Sequence, residues 1–258
     1  MPLLRAVRLQ NEAHCVWNLG PSYWLNGSPP AAWRLLMFLP LLGVACLSIA
    51  SLSDGVFLFV VREDGPLEWV QVVAYMTAVV ISTAAIPGLR RRGDRRGTIA
   101  LVGLAVFALV CVGEELSWGQ RLLGFDTPVI GAQNRQGELT IHNDARVDEL
   151  TRICLLFAGL YGLIAPLLIR RHTPFVPPSA LIFFFAVVAA YYAFRLQYLG
   201  RPSYEEAKFS EWPETCFALA LALWCKNIGA QESEERRTWV PDPRRAISGE
   251  PGDTKRAR

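Results

Sequence analysis

Charge is scarce in this chain, since Asp, Glu, Lys and Arg make up only 19% of its 258 residues, whereas 52% are hydrophobic. This composition excludes an intrinsically disordered protein. A short-period repeat is also absent, which excludes a solenoid or a fibre. The six Cys form no CxxC and follow no regular spacing, so neither a disulfide framework nor a zinc knuckle is expected. The net charge of +3 is too small to indicate a nucleic-acid partner.

The hydrophobic residues are concentrated in runs of the length that crosses a bilayer, which needs about 20 apolar residues of helix. Five long runs and a shorter sixth cover residues 35–53, 69–89, 98–113, 153–169, 175–194 and 215–225. The sixth has only 11 uncharged residues, so it spans only if residues 209–214 also lie at membrane depth, shielded by neighbouring helices. The sequence therefore predicts an all-α integral membrane protein, a bundle of about six transmembrane helices.

The charge pattern divides the chain and orients it. We predict an interfacial segment at 1–32, a transmembrane domain at 33–229 and a disordered, charged tail at 230–258. With the N-terminus inside, 18 Lys and Arg lie on the inner side and 8 on the outer side. The positive-inside rule then predicts a protein of the cell membrane with both termini cytoplasmic. Interfacial belts fit the Trp positions, with Trp33 and Trp224 on one side and Trp69, Trp118 and Trp212 on the other.

Ionisable side chains at membrane depth are costly and are candidates for function. In this chain the alternating direction of the spans brings them all to one end of the bundle, the non-cytoplasmic end. They are Glu68 at the start of the second span, Glu114 and Glu115 near the end of the third, His142, beside the polar Asn143, in the following loop, Arg195 at the end of the fifth, and Glu211 and Glu214 at the start of the sixth. We therefore expect one polar site beneath one face of the membrane.

Glu114 and Glu115 are the strongest candidates, because they lie at the C-terminal end of a predicted helix, where the helix dipole disfavours anions. If that helix continues, Glu114, Trp118 and Arg121 stack on one face at i, i+4 and i+7. Glu68 lies instead at a predicted helix start, where a carboxylate is stabilised without any function. For Glu68 the structural and functional interpretations are equally supported.

Glu211 and Glu214 are neighbours at i, i+3 on one helix face, beside a helix start that they also suit as capping groups. Two carboxylates this close repel each other unless a cation lies between them. A divalent metal ion is one such cation, and Arg195 is another. A divalent metal ion is therefore a candidate cofactor, with Glu211 and Glu214 as its ligands.

One stretch resembles a known family. The segment EELSWGQRLLGFDTP, followed by NRQGELTIHN, is similar to uncharacterised bacterial polytopic membrane proteins with an EE-x-SWGQR element, a downstream Gln-Gly-Glu and a His-Asn pair. The REDGPLEW segment before the second span also resembles that family. The likeness covers residues 60–145 and extends elsewhere only by hydropathy. It implies a membrane fold and supports the site, but it implies no reaction.

A second, partial resemblance is to the CAAX-type membrane glutamic proteases, which combine an EExxxR motif with two later His motifs. Glu114 and Glu115 match the paired glutamates, but Gly119 occupies the Arg position and Arg121 comes two residues late. His142 is the one candidate for a later His, and the final His motif is missing. These departures argue against proteolysis of this type.

The residues leave three classes of function open. The first is a hydrolase or transferase acting on a lipid or lipid-linked substrate, with membrane lipids as its partners and a carboxylate as general base. Its candidate catalytic residues are Glu114, Glu115, His142 and Arg195, and its candidate substrate-binding residues are Trp118, Arg121, Asn143 and Tyr192. The second class is an ion- or proton-coupled transporter, although the polar residues lie at one end and not at mid-bilayer. The third is a non-catalytic assembly subunit whose polar residues join helices.

Overall fold

The described part of the chain is all-helical. The structure, a computed structural model, describes residues 31–62, 64–123, 145–169, 173–198 and 208–238. Its helices are α1 (Ala31–Ala50), α2 (Asp54–Val61), α3 (Pro66–Arg91), α4 (Arg95–Glu115), α5 (Gln120–Leu123), α6 (Ala145–Leu168), α7 (Ile182–Tyr198) and α8 (Glu211–Thr238). Two short 3-10 helices, Ser117–Gly119 and Ser179–Leu181, precede α5 and α7.

Four helical stretches within the described ranges are long and apolar enough to cross a membrane. They are Asp54–Arg91, Arg95–Glu115, Val147–Leu168 and Ser179–Gln197. Helix α1 adds a shorter apolar segment, Leu35–Ala50. The predicted all-helical class is therefore confirmed, while the predicted number of about six spans stays a prediction.

Local sequence explains where three of the helices begin. Helix α3 starts with Pro66 at its first position, where the missing N–H of proline costs no hydrogen bond. Helix α4 follows Asp94, whose side-chain oxygen accepts a hydrogen bond from the Gly97 backbone N–H at 2.9 Å. Helix α7 and its leading 3-10 turn begin only after Pro178. The predicted span at 175–194 starts too early because residues 177 and 178 are both proline, which resists the helical interior.

Helix α2 lies between two predicted spans and is not predicted by the hydropathy pattern. Its Phe57 and Val61 are buried with Leu47 of α1 in a small separate cluster. The Phe57 ring packs against Phe209, with the ring centroids 4.6 Å apart. Helix α2 therefore packs against both the end of α1 and the segment that precedes α8.

Helix α8 lies at the centre of the described bundle and contacts α1, α3, α4 and α7. Its Cys216, Ala218, Ala220 and Cys225 are completely buried. Because helices surround it, α8 needs no continuous hydrophobic exterior, which explains why the run at 215–225 is so short. Trp224 is only 9% exposed, so its predicted place in an exposed interfacial belt is wrong.

The predicted boundary between the transmembrane domain and the tail differs from the end of the last helix. Helix α8 continues to Thr238, beyond the predicted domain boundary at 229. The remainder of the predicted tail, and almost all of the interfacial segment at 1–32, lie outside the described residues. The helical part of the chain thus extends further towards the C-terminus than the composition predicts.

Glycines allow α6 and α7 to lie in close contact. A Cβ on Gly159 would be 2.6 Å from the backbone nitrogen of Ala189, and a Cβ on Gly162 would be 2.1 Å from Cγ of Phe185. At these two positions α6 has no room for a side chain, because backbone and ring atoms of α7 already occupy the space.

Substituting Gly159 with Leu should therefore separate α6 from α7 and lower the stability by about 1–3 kcal/mol. The measurement is the thermal unfolding temperature of the purified protein in dodecyl maltoside. Gly103→Leu is the matched control, since a Cβ on Gly103 meets no atom within 4 Å. Equal unfolding temperatures for the two variants would contradict this account of the α6–α7 contact.

Candidate functional site

A stripe of buried polar residues on α3 forms one wall of the site. Glu68, Gln71 and Tyr75 follow one another at i, i+3 and i+7 and are all buried, so they share the inward face of the helix. Gln71 and Tyr75 are site residues that the sequence pattern does not predict. The signal that finds them is their position on the inner stripe that continues through Ala78 and Ser82.

Glu211 is held by two partners at the start of α8. The Lys208 ammonium donates to Glu211 Oε1 at 3.2 Å, and the side chains are only 11% and 14% exposed. Gln71 Nε2 donates to Glu211 Oε2 and to the Glu211 backbone oxygen, each at 3.1 Å. Lys208 is thus the cation beside this carboxylate, in place of the metal ion or the Arg195 guanidinium that the sequence suggests.

Glu214, one turn further along α8, interacts with tyrosines from two other helices. The Tyr192 hydroxyl of α7 donates to Glu214 Oε1 at 2.5 Å. Glu214 and Glu115 also both interact electrostatically with the buried hydroxyl of Tyr75. Two predicted site residues from α4 and α8, Glu115 and Glu214, therefore converge on one tyrosine of α3.

The two adjacent glutamates at the end of α4 have different surroundings. Glu115 interacts electrostatically with Tyr75 and Cys111, and these two residues are hydrogen bonded to each other. Glu114 instead accepts a hydrogen bond from Trp118 Nε1 at 2.7 Å. Both glutamates act electrostatically on Cys111. They differ in that Glu115 also acts on the buried Tyr75, whereas Glu114 binds the indole.

A sharp turn ends α4 immediately after these glutamates. The predicted stacking of Glu114, Trp118 and Arg121 along one continuous helix is wrong, because α4 ends at Glu115. Ser117 and Trp118 have φ values of 48° and 52°, a left-handed conformation that is unfavourable for a bulky residue. The turn folds the indole of Trp118 back over Gly113, where a Cβ would be 2.9 Å from the ring.

Arg195 lies at the C-terminal end of α7 and is only 4% exposed. Its guanidinium interacts electrostatically with Tyr191, the residue one turn earlier. Arg195 Nη1 has no hydrogen-bond partner among the described residues, and neither has Gln71 Oε1. A buried polar atom without a partner costs about 1–3 kcal/mol, so the Arg195 donor and the Gln71 acceptor are each suited to a ligand.

Some of the predicted site residues stay untested by the geometry. His142 and Asn143 lie outside the described residues, and of Arg121 only the backbone, in α5, is described. The predicted roles of these three residues in catalysis and substrate binding therefore remain predictions.

The predicted metal site is likewise a prediction that the described geometry does not support. Within the described ranges, no group of three or more His, Cys, Asp or Glu side chains could hold a metal ion. Glu211 is bound by Lys208 and Gln71 and Glu214 by Tyr192, so protein donors already occupy carboxylate oxygens that a metal would need.

Glu68 has a structural role at the start of α3. Its Oε2 accepts a hydrogen bond from the Asp64 backbone N–H at 2.7 Å, and Asp64 has the left-handed φ of 57°. This bond ties the side chain in the first turn of α3 to the backbone before the helix, at the residue that precedes the N-cap Gly65. The capping interpretation of Glu68 is thus supported, although Glu68 also lies close enough to act electrostatically on Glu211.

The chain matches no protein-family model, no curated protein and no solved structure. The resemblance to the EE-x-SWGQR membrane family, and the partial one to the CAAX-type proteases, therefore remain predictions from the residues quoted above.

Proposed function

We propose that this chain is a six-span protein of the cell membrane, with both termini cytoplasmic, that acts on a lipid or lipid-linked substrate as a hydrolase or transferase. The observation that carries the proposal is the convergence of Glu115 and Glu214 on the buried hydroxyl of Tyr75. Carboxylates of this kind serve enzymes as general bases when they are partly withdrawn from water.

Membrane insertion is supported by the character of the outer surface. Large apolar side chains project from the outside of the bundle, among them Val73 and Val80 of α3, Val106 and Leu109 of α4 and Phe157 of α6, each more than half exposed. Soluble monomers rarely expose apolar surface so extensively. The sixth span is α8, whose lack of a continuous apolar exterior fits its enclosure by the other helices.

The composition of the polar cluster supports chemistry on an anionic lipid. Glu115 would remove a proton from water or a substrate hydroxyl, and the Tyr192 hydroxyl, which donates to Glu214 at 2.5 Å, would hold that second carboxylate in position. Arg195 would bind a phosphate-type headgroup, since a guanidinium presents parallel donors that match it. Because these groups lie at one end of the bundle, the reaction would take place near the outer membrane face.

The test is to search for lipid conversion in water enriched in oxygen-18. Purified full-length protein is reconstituted into liposomes made from the total lipid extract of the expression host, and all lipids are compared by mass spectrometry with those of protein-free liposomes. A hydrolase incorporates one water oxygen into a product, whereas a transferase forms a new lipid without the label.

Two results would contradict the proposal. The first is a lipid composition that the protein leaves unchanged. The second is proton flux into the same vesicles without any lipid conversion, which would favour the transporter.

A further inference from the structure

An apolar groove runs beside the polar cluster. It has a volume of about 410 Å³ and lies between α1, α7 and the start of α8, with Leu41, Val44, Ala186, Ala190, Phe209 and Trp212 among its lining residues. That volume is in the range of small-molecule sites, about 300–1,000 Å³. Leu41, Val44 and Ala190 are exposed, so the groove is open along one side, towards the surroundings of the bundle.

Trp212 gives this groove a defined wall. Its indole Nε1 donates to the Pro40 backbone oxygen of α1 at 2.9 Å. The ring lies directly on Gly43, where a Cβ would be 1.8 Å from Cζ2. Because a ring nitrogen is anchored and a glycine provides the space, the groove is preformed and does not depend on a mobile side chain.

One end of the groove adjoins the buried cation. Tyr191 lines the groove, its ring contacts that of Tyr192 with the centroids 5.2 Å apart, and its hydroxyl interacts with Arg195. Arg195 lies one helical turn after Tyr191, so the two side chains are neighbours on the same face of α7. Its Nη1 is buried without a hydrogen-bond partner among the described residues, so an anion is the complementary ligand at this end.

We infer that the groove binds the hydrocarbon chain of a lipid whose phosphate-type headgroup is bound by Arg195 beside Tyr191. The inference rests on the proposed function, for which it specifies the substrate class: an anionic lipid with a chain in the groove and its head at the carboxylates. An apolar groove that opens sideways at membrane depth meets lipid chains before any other ligand, and the buried guanidinium selects an anionic head.

The probe is dodecyl phosphate, which has one hydrocarbon chain and a phosphate. It is titrated into the purified full-length protein in dodecyl maltoside, and binding is followed as a saturable rise in the thermal unfolding temperature. Inorganic phosphate tests the headgroup without a chain, and dodecyltrimethylammonium tests the same chain with the opposite charge. We expect only dodecyl phosphate to stabilise the wild type.

Two variants locate the bound chain. Ala186→Trp fills the groove and should weaken dodecyl phosphate binding by about tenfold or more, a loss of about 1.4 kcal/mol. Ala84→Trp is the matched control, because Ala84 is an exposed residue of α3 that does not line the groove, and it should bind like the wild type. Arg195→Gln should abolish the preference for the phosphate over the ammonium probe.

Three results would overturn the inference. They are dodecyl phosphate binding that Ala186→Trp leaves unchanged, equal binding of inorganic phosphate, and a change of oligomeric state in Ala186→Trp with unaltered binding, which would make the groove a contact between copies. Binding requires no turnover. If dodecyl phosphate binds in the groove but no lipid is converted, the enzyme proposal is rejected and the lipid site stands. If lipid is converted equally well by Ala186→Trp, the lipid site is rejected and the enzyme proposal stands.

Discussion

Replacing Glu115 with Gln is expected to reduce the rate of lipid conversion by about 10²- to 10⁴-fold, the usual contribution of a general base. The amide keeps the shape and size of the side chain, but it cannot act as a base at neutral pH. Among the predicted carboxylates, Glu115 is the one at the end of α4 that interacts with Tyr75 and Cys111. The measurement is the initial rate of product formation in the oxygen-18 assay, with equal amounts of folded protein.

Two further variants make this result specific. Glu149→Gln removes an exposed carboxylate of α6 and should retain the wild-type rate. Glu114→Gln should lose less activity than Glu115→Gln, because its amide oxygen can still accept the hydrogen bond from Trp118 Nε1. Full activity of Glu115→Gln would exclude the residue as the base, and the same loss in all three variants would indicate a general effect on folding.

Replacing Lys208 with Met is expected to destabilise the protein by about 3–5 kcal/mol, because it leaves the Glu211 carboxylate buried without its cation. The two side chains are 11% and 14% exposed and 3.2 Å apart, so water compensates little for the loss. Adding Glu211→Gln to the same chain should recover most of the stability, since it removes the uncompensated charge. Thermal unfolding in dodecyl maltoside measures the three proteins side by side.

The control for this prediction is the ion pair between Arg152 and Asp148 on α6, whose side chains are 20% and 31% exposed. Arg152→Met should cost only about 0.2–1 kcal/mol, as for surface pairs in general. If Lys208→Met were no more destabilising than Arg152→Met, Lys208 would not be the cation that Glu211 needs. A double variant as unstable as Lys208→Met would lead to the same conclusion.

Much of the helical architecture could be predicted from local hydropathy. The runs at 69–89, 98–113 and 153–169 lie within α3, α4 and α6, because a helix satisfies its own backbone hydrogen bonds and its length follows from its own residues. The run at 215–225 is informative for the opposite reason. Its weak hydropathy reflects enclosure by other helices, a property of the assembled bundle that no single segment contains.

The candidate site was predicted in part. Hydropathy and span direction bring Glu115, Glu214 and Arg195 to one end of the bundle, and the structure places Glu115 and Glu214 around Tyr75. Gln71 and Tyr75 could not be predicted, because an uncharged glutamine and tyrosine within a long apolar run do not indicate a polar site. Their heptad spacing from Glu68 becomes meaningful only once the inner face of α3 is known.

Local hydropathy and composition are enough to predict that the chain is helical, where most of its helices lie and that its carboxylates occur at helix ends. The partners of these carboxylates follow instead from the assembled bundle: Lys208 for Glu211, Tyr192 for Glu214, and Trp118, through a left-handed turn, for Glu114. The two kinds of prediction differ because they depend on interactions over different distances along the chain. Helix formation depends on residues within a few positions of one another, whereas a side-chain pair depends on how far each helix is rotated and how closely its neighbours approach, which all the packed surfaces set together.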